Sequence, residues 1–329
     1  MTTPVVIPLT IQSCPIGFTL VGNSLDRCDC YKDLFDTLGF VTCSIYNGTG
    51  YISWNTRLWL SSIDEGNDSS GIAFSKYCPV DNCYTINEMI DLQNDPDAQC
   101  AFNHQGRLCG GCKENYSLAI GSSHCINCPN NNGLSLLIFF AAAGFLLAAV
   151  ICSLNFTVTK GTINGLIFYA NVIWAYQHVL FPQQMGSYLQ LLRVFIAWLN
   201  LDFGIETCFI VGLNAFWKTW LQFVFPFYTA GLFFIGVKYS EPLSRFLGSH
   251  SVHMLATLFF LSNTKLLRTI IVALKLAEVT TYPNNTTYTV WAVDGTLRYG
   301  HFPHIILLIA AIICLVFFWM PYTLLLFSM

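Results

Sequence analysis

Residues Leu134–Leu154 (LSLLIFFAAAGFLLAAVICSL) form a run of 21 residues with no charge and no proline. At about 1.5 Å per residue a helix of this length covers roughly 30 Å, the thickness of a bilayer core. Its partly polar side chains, Ser135, Cys152 and Ser153, sit near the ends. The run is too long for a signal-peptide core and lies far from the N-terminus. It reads as a first transmembrane helix, with a polar, cysteine-rich chain before it and an apolar chain after it.

The two sides differ in charge. Residues 1–133 hold 13 Asp/Glu and 6 Lys/Arg, a net of −7; residues 134–329 hold 5 and 9, a net of +4, and the two sum to −3. Charged residues make up 10% of the chain, against about 25% in a soluble domain. The chain has no basic face to neutralise phosphates, which excludes nucleic acid as a partner class.

Eleven of the fourteen cysteines precede the apolar run: Cys14, Cys28, Cys30, Cys43, Cys78, Cys83, Cys100, Cys109, Cys112, Cys125 and Cys128. That density predicts disulfides and an oxidising compartment. The sequons at Asn47, Asn67 and Asn115 agree. Cys109-Gly-Gly-Cys112 and Cys125-Ile-Asn-Cys128 have zinc-ribbon spacing; beside sequons and a membrane span, disulfides are the better reading, and no metal or cofactor is expected. The acidic series Glu88, Asp91, Asp95 and Asp97 lacks the spaced ligands and glycine of a calcium loop and reads as a solvated loop.

Within 13–133, short β-like runs alternate with turns: Phe40–Tyr46, Tyr51–Trp54, Leu58–Ser62 and Gly71–Tyr77, with turn signals at Asn47-Gly48 and 64–67. Ile86–Gln93 reads as a short helix. Apolar periodicity is too sparse for a large core, so disulfides are expected to restrict the unfolded chain instead. Cys14-Pro-Ile-Gly-Phe and Cys28-Asp-Cys30 loosely resemble pieces of EGF-like modules.

Four further spans are expected at about 162–181, 219–237, 252–276 and 305–327, with an interfacial or re-entrant segment at about 188–210 that carries Asp202 and Glu206. Asn164, Asn171 and His178 recur every seventh residue and share a stripe that should face the bundle. Asn263, Lys265 and Arg268 lie in the fourth span; a cation near mid-membrane costs about 2.5–3.5 kcal/mol. Asp202 and Glu206 are the expected counter-ions, either as a purely structural ion pair or as a gating or ligand site. Residues 277–303 form a polar loop with overlapping sequons at Asn284 and Asn285 and a hairpin of Tyr288–Val293 and Thr296–Tyr299 around Asp294-Gly295.

The fold class expected is therefore a membrane protein: an all-α bundle of five spans over 134–329, preceded by a small β-rich, disulfide-rich ectodomain over 1–133. The cysteines and sequons place that ectodomain outside the plasma membrane, with the loops at 182–218 and 277–303 on the same side. Eleven cysteines leave one without a mate. Cys208 falls on the same side, and a bridge to it clamps the ectodomain onto the bundle; a cysteine upstream of Met1 serves equally. Met1–Gln12 has no basic n-region and Met329 ends a hydrophobic helix, so both ends read as cuts in a longer protein, unless Leu134–Leu154 acts as an internal signal-anchor.

Four stretches carry a resemblance: Gly161-Thr-Ile-Asn-Gly-Leu-Ile-Phe-Tyr-Ala-Asn171, Ala197-Trp-Leu-Asn-Leu-Asp-Phe-Gly-Ile-Glu-Thr-Cys208, Lys218-Thr-Trp-Leu-Gln-Phe-Val-Phe-Pro226 and Thr264-Lys-Leu-Leu-Arg-Thr269. Together they resemble a large group of uncharacterised multipass cell-surface proteins with cysteine-rich ectodomains and a TRP-like (transient receptor potential-like) membrane domain. The resemblance covers roughly residues 100–329 and implies architecture; it brings no catalytic or ligand residues.

No Ser/His/Asp pattern, P-loop or HExxH is present, so the chain does not read as an enzyme. Three functions fit: a receptor or adhesion-type sensor whose ectodomain binds an unknown external ligand, a TRP-like channel or transporter, and a passive surface protein. Polar residues at mid-bilayer argue against a pure anchor. A cationic Lys265 opposes cation flow unless neutralised, which favours the receptor.

Overall fold

A computed structural model describes residues 14–15, 17–20, 28–31, 41–47, 49–54, 58–65, 69–79, 82–84, 89–101, 103–120, 122–129, 133–153, 169, 208–239, 251–282, 284–321 and 324. The N-terminal region is β-rich and disulfide-rich. Its strands are β1 (Phe18–Leu20), β2 (Cys28–Cys30), β3 (Val41–Tyr46), β4 (Thr49–Trp54), β5 (Trp59–Glu65), β6 (Ser69–Ser75), β7 (Ile90–Asp91), β8 (His104–Gln105), β9 (Gly111–Cys112), β10 (Tyr116–Leu118) and β11 (Cys125–Asn127). The helices are α1 (Gly133–Ser153), α2 (Ala215–Tyr239), α3 (Ser251–Leu274) and α4 (His304–Cys314). A hairpin of β12 (Leu276–Tyr282) and β13 (Thr287–Trp291) stands between α3 and α4.

That hairpin corrects the start of the segment 277–303, expected as a polar loop and found as a strand of the principal sheet. The principal sheet has the order β13-β12-β6-β5, all antiparallel, so β12 inserts beside β6 with Thr281 opposite Ala73 and Tyr282 opposite Ile72. The β-rich unit is thus completed by residues far beyond position 133. The expected hairpin around Asp294-Gly295 is present in part: Val290 bridges Arg298 in antiparallel fashion, and Asp294 closes the turn by accepting hydrogen bonds from Thr296 N (3.1 Å) and Oγ1 (2.6 Å). Strand β13 also pairs with β12, from Thr280 opposite Thr287 to Leu276 opposite Trp291. The expected helix over Ile86–Gln93 is replaced at its described end by β7, paired with β4.

Both faces of the principal sheet are covered. Leu60 and Ile72 point to one side and pack with Phe18, Ile52 and Trp54. Trp59, Ala73, Ala277, Val279 and Val290 point to the other and pack with Leu108 and the Cys78, Cys100 and Cys109 sulfurs. Trp54, Trp59, Leu60 and Ile72 are fully buried, so apolar packing contributes beside the disulfides, more than the sparse periodicity indicated. The free edge of β5 is closed by one side chain. Gln99 donates from Nε2 to Leu60 O (2.5 Å), and its Oε1 accepts from Leu60 N (3.1 Å), in place of a neighbouring strand.

Helix α2 starts where Asn214 Oδ1 accepts from Trp217 N (3.1 Å), a side-chain cap. It runs through Pro226, whose carbonyl accepts from Thr229 Oγ1 (2.9 Å). The stretch Ala215–Gly236 of α2 is, among the described residues, the one helix long and apolar enough to cross a membrane. Helix α4 continues into a π-helical turn at Leu315–Trp319. Phe216, Phe223, Leu266, Ile270, Leu307 and Ala311 from α2, α3 and α4 form a common core with Leu118, Cys125 and Trp291 of the β-rich region. Apart from Tyr169, the expected span at 162–181 lies outside the described residues, as does most of the segment at 188–210.

Candidate functional site

Among the described residues six disulfides hold the β-rich region: Cys14–Cys28, Cys30–Cys43, Cys78–Cys83, Cys100–Cys109, Cys112–Cys125 and Cys128–Cys208. The four cysteines with zinc-ribbon spacing are divided among three of these bonds and form no common site. The Cys78, Cys83 and Cys109 sulfurs lie within 4.8 Å of one another, but each is bonded to sulfur and none is a thiolate ligand. The bridge from Cys128 reaches Cys208, a mate expected for the odd cysteine of the N-terminal region.

The expected glycosylation sites Asn47, Asn115, Asn284 and Asn285 are all exposed. Asn67 lies outside the described residues, as do Asn164, Asn171, His178, Asp202 and Glu206. Of the expected polar network, α3 presents Asn263, Lys265 and Arg268; Lys265 is buried and Thr269 Oγ1 donates to its carbonyl (2.9 Å). Of the acidic series, Asp91 holds a turn by accepting from Gln93 N and Asn94 N, and Asp97 accepts from Gly106 N (2.7 Å).

The feature that sequence reasoning missed is a polar groove where the principal sheet meets two loops. Two adjoining cavities, of about 440 and 420 Å³, share Thr286, Tyr288 and Arg298. The second is walled by Ser61, Thr281 and Arg107, the first by Glu278, Thr289 and His301. The Arg107 guanidinium lies 5.6 Å from the Tyr288 ring centroid, within cation–π range. Among the described residues Glu278 is the single carboxylate on the first wall, and none lines the second.

Arg107 reaches the groove from a strained turn. Leu108 (φ 52°) and Cys109 (φ 51°) occupy the left-handed region in succession, at a cost of about 1–3 kcal/mol each for non-glycine residues. The surroundings hold them there. Leu108 is fully buried, Cys109 is bonded to Cys100, and the Cys109 carbonyl meets His104 Nδ1 at 2.7 Å. The other ring nitrogen of His104 meets Ser123 O at 2.8 Å. Burial keeps the His104 imidazole below its ordinary pKa, against the pull of these two carbonyls. Next to this turn, Gly110 lies against the backbone of Asp294, where a Cβ would come within 2.6 Å of its Cα. Burial raises the Asp294 carboxyl, partly offset by the two Thr296 hydrogen bonds.

Arg298 is placed by the return of the chain along β13. Trp291 N donates to Leu297 O (2.9 Å) and Tyr299 N to Thr289 O (3.2 Å), so the outer edge of β13 is occupied by the chain itself. No family model, no curated protein and no solved structure matches this chain.

Proposed function

We propose that the chain is a multipass plasma-membrane receptor or adhesion-type sensor, with its β-rich, disulfide-rich region outside the cell and its groove facing the external medium. The observation that carries this reading is the junction at Lys275. One residue separates α3 from β12, and β12 is hydrogen-bonded between β13 and β6. A ligand seated against Tyr288 and Arg298 therefore touches β13 and, at Thr281, the paired strand β12 that is continuous with a core helix. Such differential contact is what any ligand needs to bias a helical assembly.

Three further features support the membrane and its sidedness. Six disulfides belong to an oxidising compartment. Ile305, Ile309, Ile312, Val316 and Phe317 make one exposed apolar stripe along α4 and the turn after it, and Leu134, Leu137, Ile138 and Phe145 are exposed on α1. Apolar faces of this extent need lipid or protein cover. The five-span count and the TRP-like grouping belong to this proposal as well, with a TRP-like channel or transporter as the second reading because Lys265, Asn263 and Arg268 lie together on α3.

The test uses the full chain in intact cells. A membrane-impermeant amine reagent should label Lys76 and Lys113, both exposed in the β-rich region, and glycosidase should shift the mass through Asn47 and Asn115. Absence of both sinks the proposed sidedness. A membrane current abolished by Asn171→Leu or Lys265→Leu, with surface display intact, replaces the receptor with the channel.

A further inference from the structure

We infer that the groove between Arg107 and Arg298 binds an acidic saccharide, a sugar unit carrying a carboxylate or sulfate. This deepens the receptor reading and rests on it only for the groove's exposure to the outside medium.

Three observations converge. The first is charge: both arginines are exposed and line the cavity beside Tyr288, and among the described residues no carboxylate lines that cavity. Guanidinium presents paired donors that match the geometry of carboxylate and sulfate oxygens. The second is the wall between the arginines. Ser61, Thr281 and Thr286 line it with hydroxyl groups, and the Tyr288 ring offers a partly exposed aromatic surface. Hydroxyls that donate and accept, beside one ring, suit a polyhydroxylated ligand better than an apolar one. The third is size: the cavity that holds both arginines, at about 420 Å³, falls in the range of small-ligand pockets.

An acidic peptide also meets the charge requirement, but its usual mode is to add a strand to an open sheet edge. On β13 that edge is taken by Arg298 and Tyr299 of the same chain. The backbone at both arginines is also held before any ligand arrives. Arg107 stands on the strained, disulfide-closed turn and Arg298 on the bridge to Val290, so the ordering left to the binding step is that of the side chains.

The experiment is equilibrium binding to the purified full-length protein in nanodiscs, treated beforehand with endoglycosidase because a glycan on Asn284 or Asn285 stands next to Thr286. The probes are a uronate-containing disaccharide, a sulfated disaccharide, the neutral parent disaccharide and a hexaglutamate peptide. The expected result is binding of one or both acidic disaccharides at least tenfold tighter than of the neutral parent and of the peptide. Arg107→Gln and Arg298→Gln should each weaken it about tenfold, while Lys113→Gln, an exposed cation outside both cavities, leaves it unchanged. An intact-mass count of six disulfides certifies that each variant is folded. Equal binding of the neutral sugar, tighter binding of the peptide, no binding of any sugar, or indifference to both arginine substitutions in folded protein overturns the inference. Surface labelling judges the receptor reading separately: labelled protein that binds no sugar loses only the ligand class, and sugar-binding protein that is never labelled loses only the receptor.

Discussion

Cys128 is disulfide-bonded to Cys208, eighty residues further along, with the two Cα atoms 5.8 Å apart. The bond brackets α1 and brings the end of the β-rich region to the start of α2. Backbone and side-chain bonds reinforce the same junction: Leu118 N donates to Leu213 O (3.0 Å), Gly212 N to Ser117 Oγ (2.7 Å), and Lys218 Nζ to the Ser122 carbonyl. A cross-link of this span removes about 4 kcal/mol of loop entropy from the unfolded chain. The paired variant Cys128→Ala/Cys208→Ala, which leaves no odd thiol, is expected to lower the thermal midpoint and to expose 122–129 to protease first. Limited proteolysis followed by mass mapping reads this directly.

The end of α3 is sealed from outside the helix. No glycine or asparagine follows Leu274 to cap it, and the last carbonyls are met instead by a later segment. Trp291 Nε1 donates to Val272 O (2.9 Å), His304 Nε2 to Ala273 O (3.1 Å), Tyr299 Oη to Leu274 O (3.1 Å) and Ala292 N to Lys275 O (3.0 Å). His304 Nδ1 in turn accepts from Gly300 N (3.2 Å), which fixes its tautomer. Trp291→Phe leaves a buried carbonyl unmet and opens a gap in the helical core; about 2–4 kcal/mol is expected from the two effects together. Amide exchange should accelerate at 276–282 in this variant before it does at 111–118.

Much of the β-rich region is legible in the chain. Strands β3 to β6 follow the alternation at Phe40–Tyr46, Tyr51–Trp54, Leu58–Ser62 and Gly71–Tyr77, and the Asn47 turn is confirmed by its φ of 50° and by Tyr46 pairing with Thr49. Strand β12 alternates just as clearly, with Ala277, Val279 and Thr281 buried. It was lost because the apolar run of α3 leads into Leu276-Ala277 without a break, and a helical and a two-residue period cannot be separated over so short an overlap. The groove was not legible at all. Arg107 and Arg298 are brought together by the insertion of β12 beside β6, and no local pattern encodes a long-range strand pairing.

The close approach of two loops gives a sharper local test. Gly110 and Gly295 interlock, the first against the Asp294 backbone and the second against the Arg107 carbonyl, where an added Cβ would stand 2.8 Å from the oxygen. Gly110→Ala must displace backbone rather than a flexible side chain. It is expected to cost about 2–3 kcal/mol, in the range of overpacking. Gly106→Ala meets no atom within 4 Å but forces a side chain onto φ 77°, a cost of about 1–2 kcal/mol from backbone strain alone. Denaturant midpoints of the two variants should rank in that order, and Gly110→Ala should also shift Arg107 and weaken any ligand held by it.

Acid acts on this region through two groups with opposite signs. The folded pKa of His104 is lowered, so its neutral form is the one the fold accepts. Its stability is complete above the unfolded histidine value of about 6.5 and is lost as the pH falls below it, because the unfolded chain takes up a proton that the buried ring resists. The charges of His124 and Lys218 oppose that proton as well. Asp294 behaves in reverse. Its folded pKa is raised, so the carboxyl favours folding while protonated, and that contribution disappears as the pH rises from the unfolded carboxylate value of about 4 through the folded one. Asp294→Asn keeps an oxygen for Thr296 and removes the buried charge; its thermal midpoint should exceed that of the wild type at pH 7.5, and the difference should close towards pH 4. His104→Gln should flatten the fall in midpoint between pH 6.5 and 5 while lowering the plateau above it. A parallel fall in wild type and His104→Gln assigns the acid sensitivity elsewhere, and an Asp294→Asn midpoint below the wild type at pH 7.5 shows that the carboxylate is compensated in the fold.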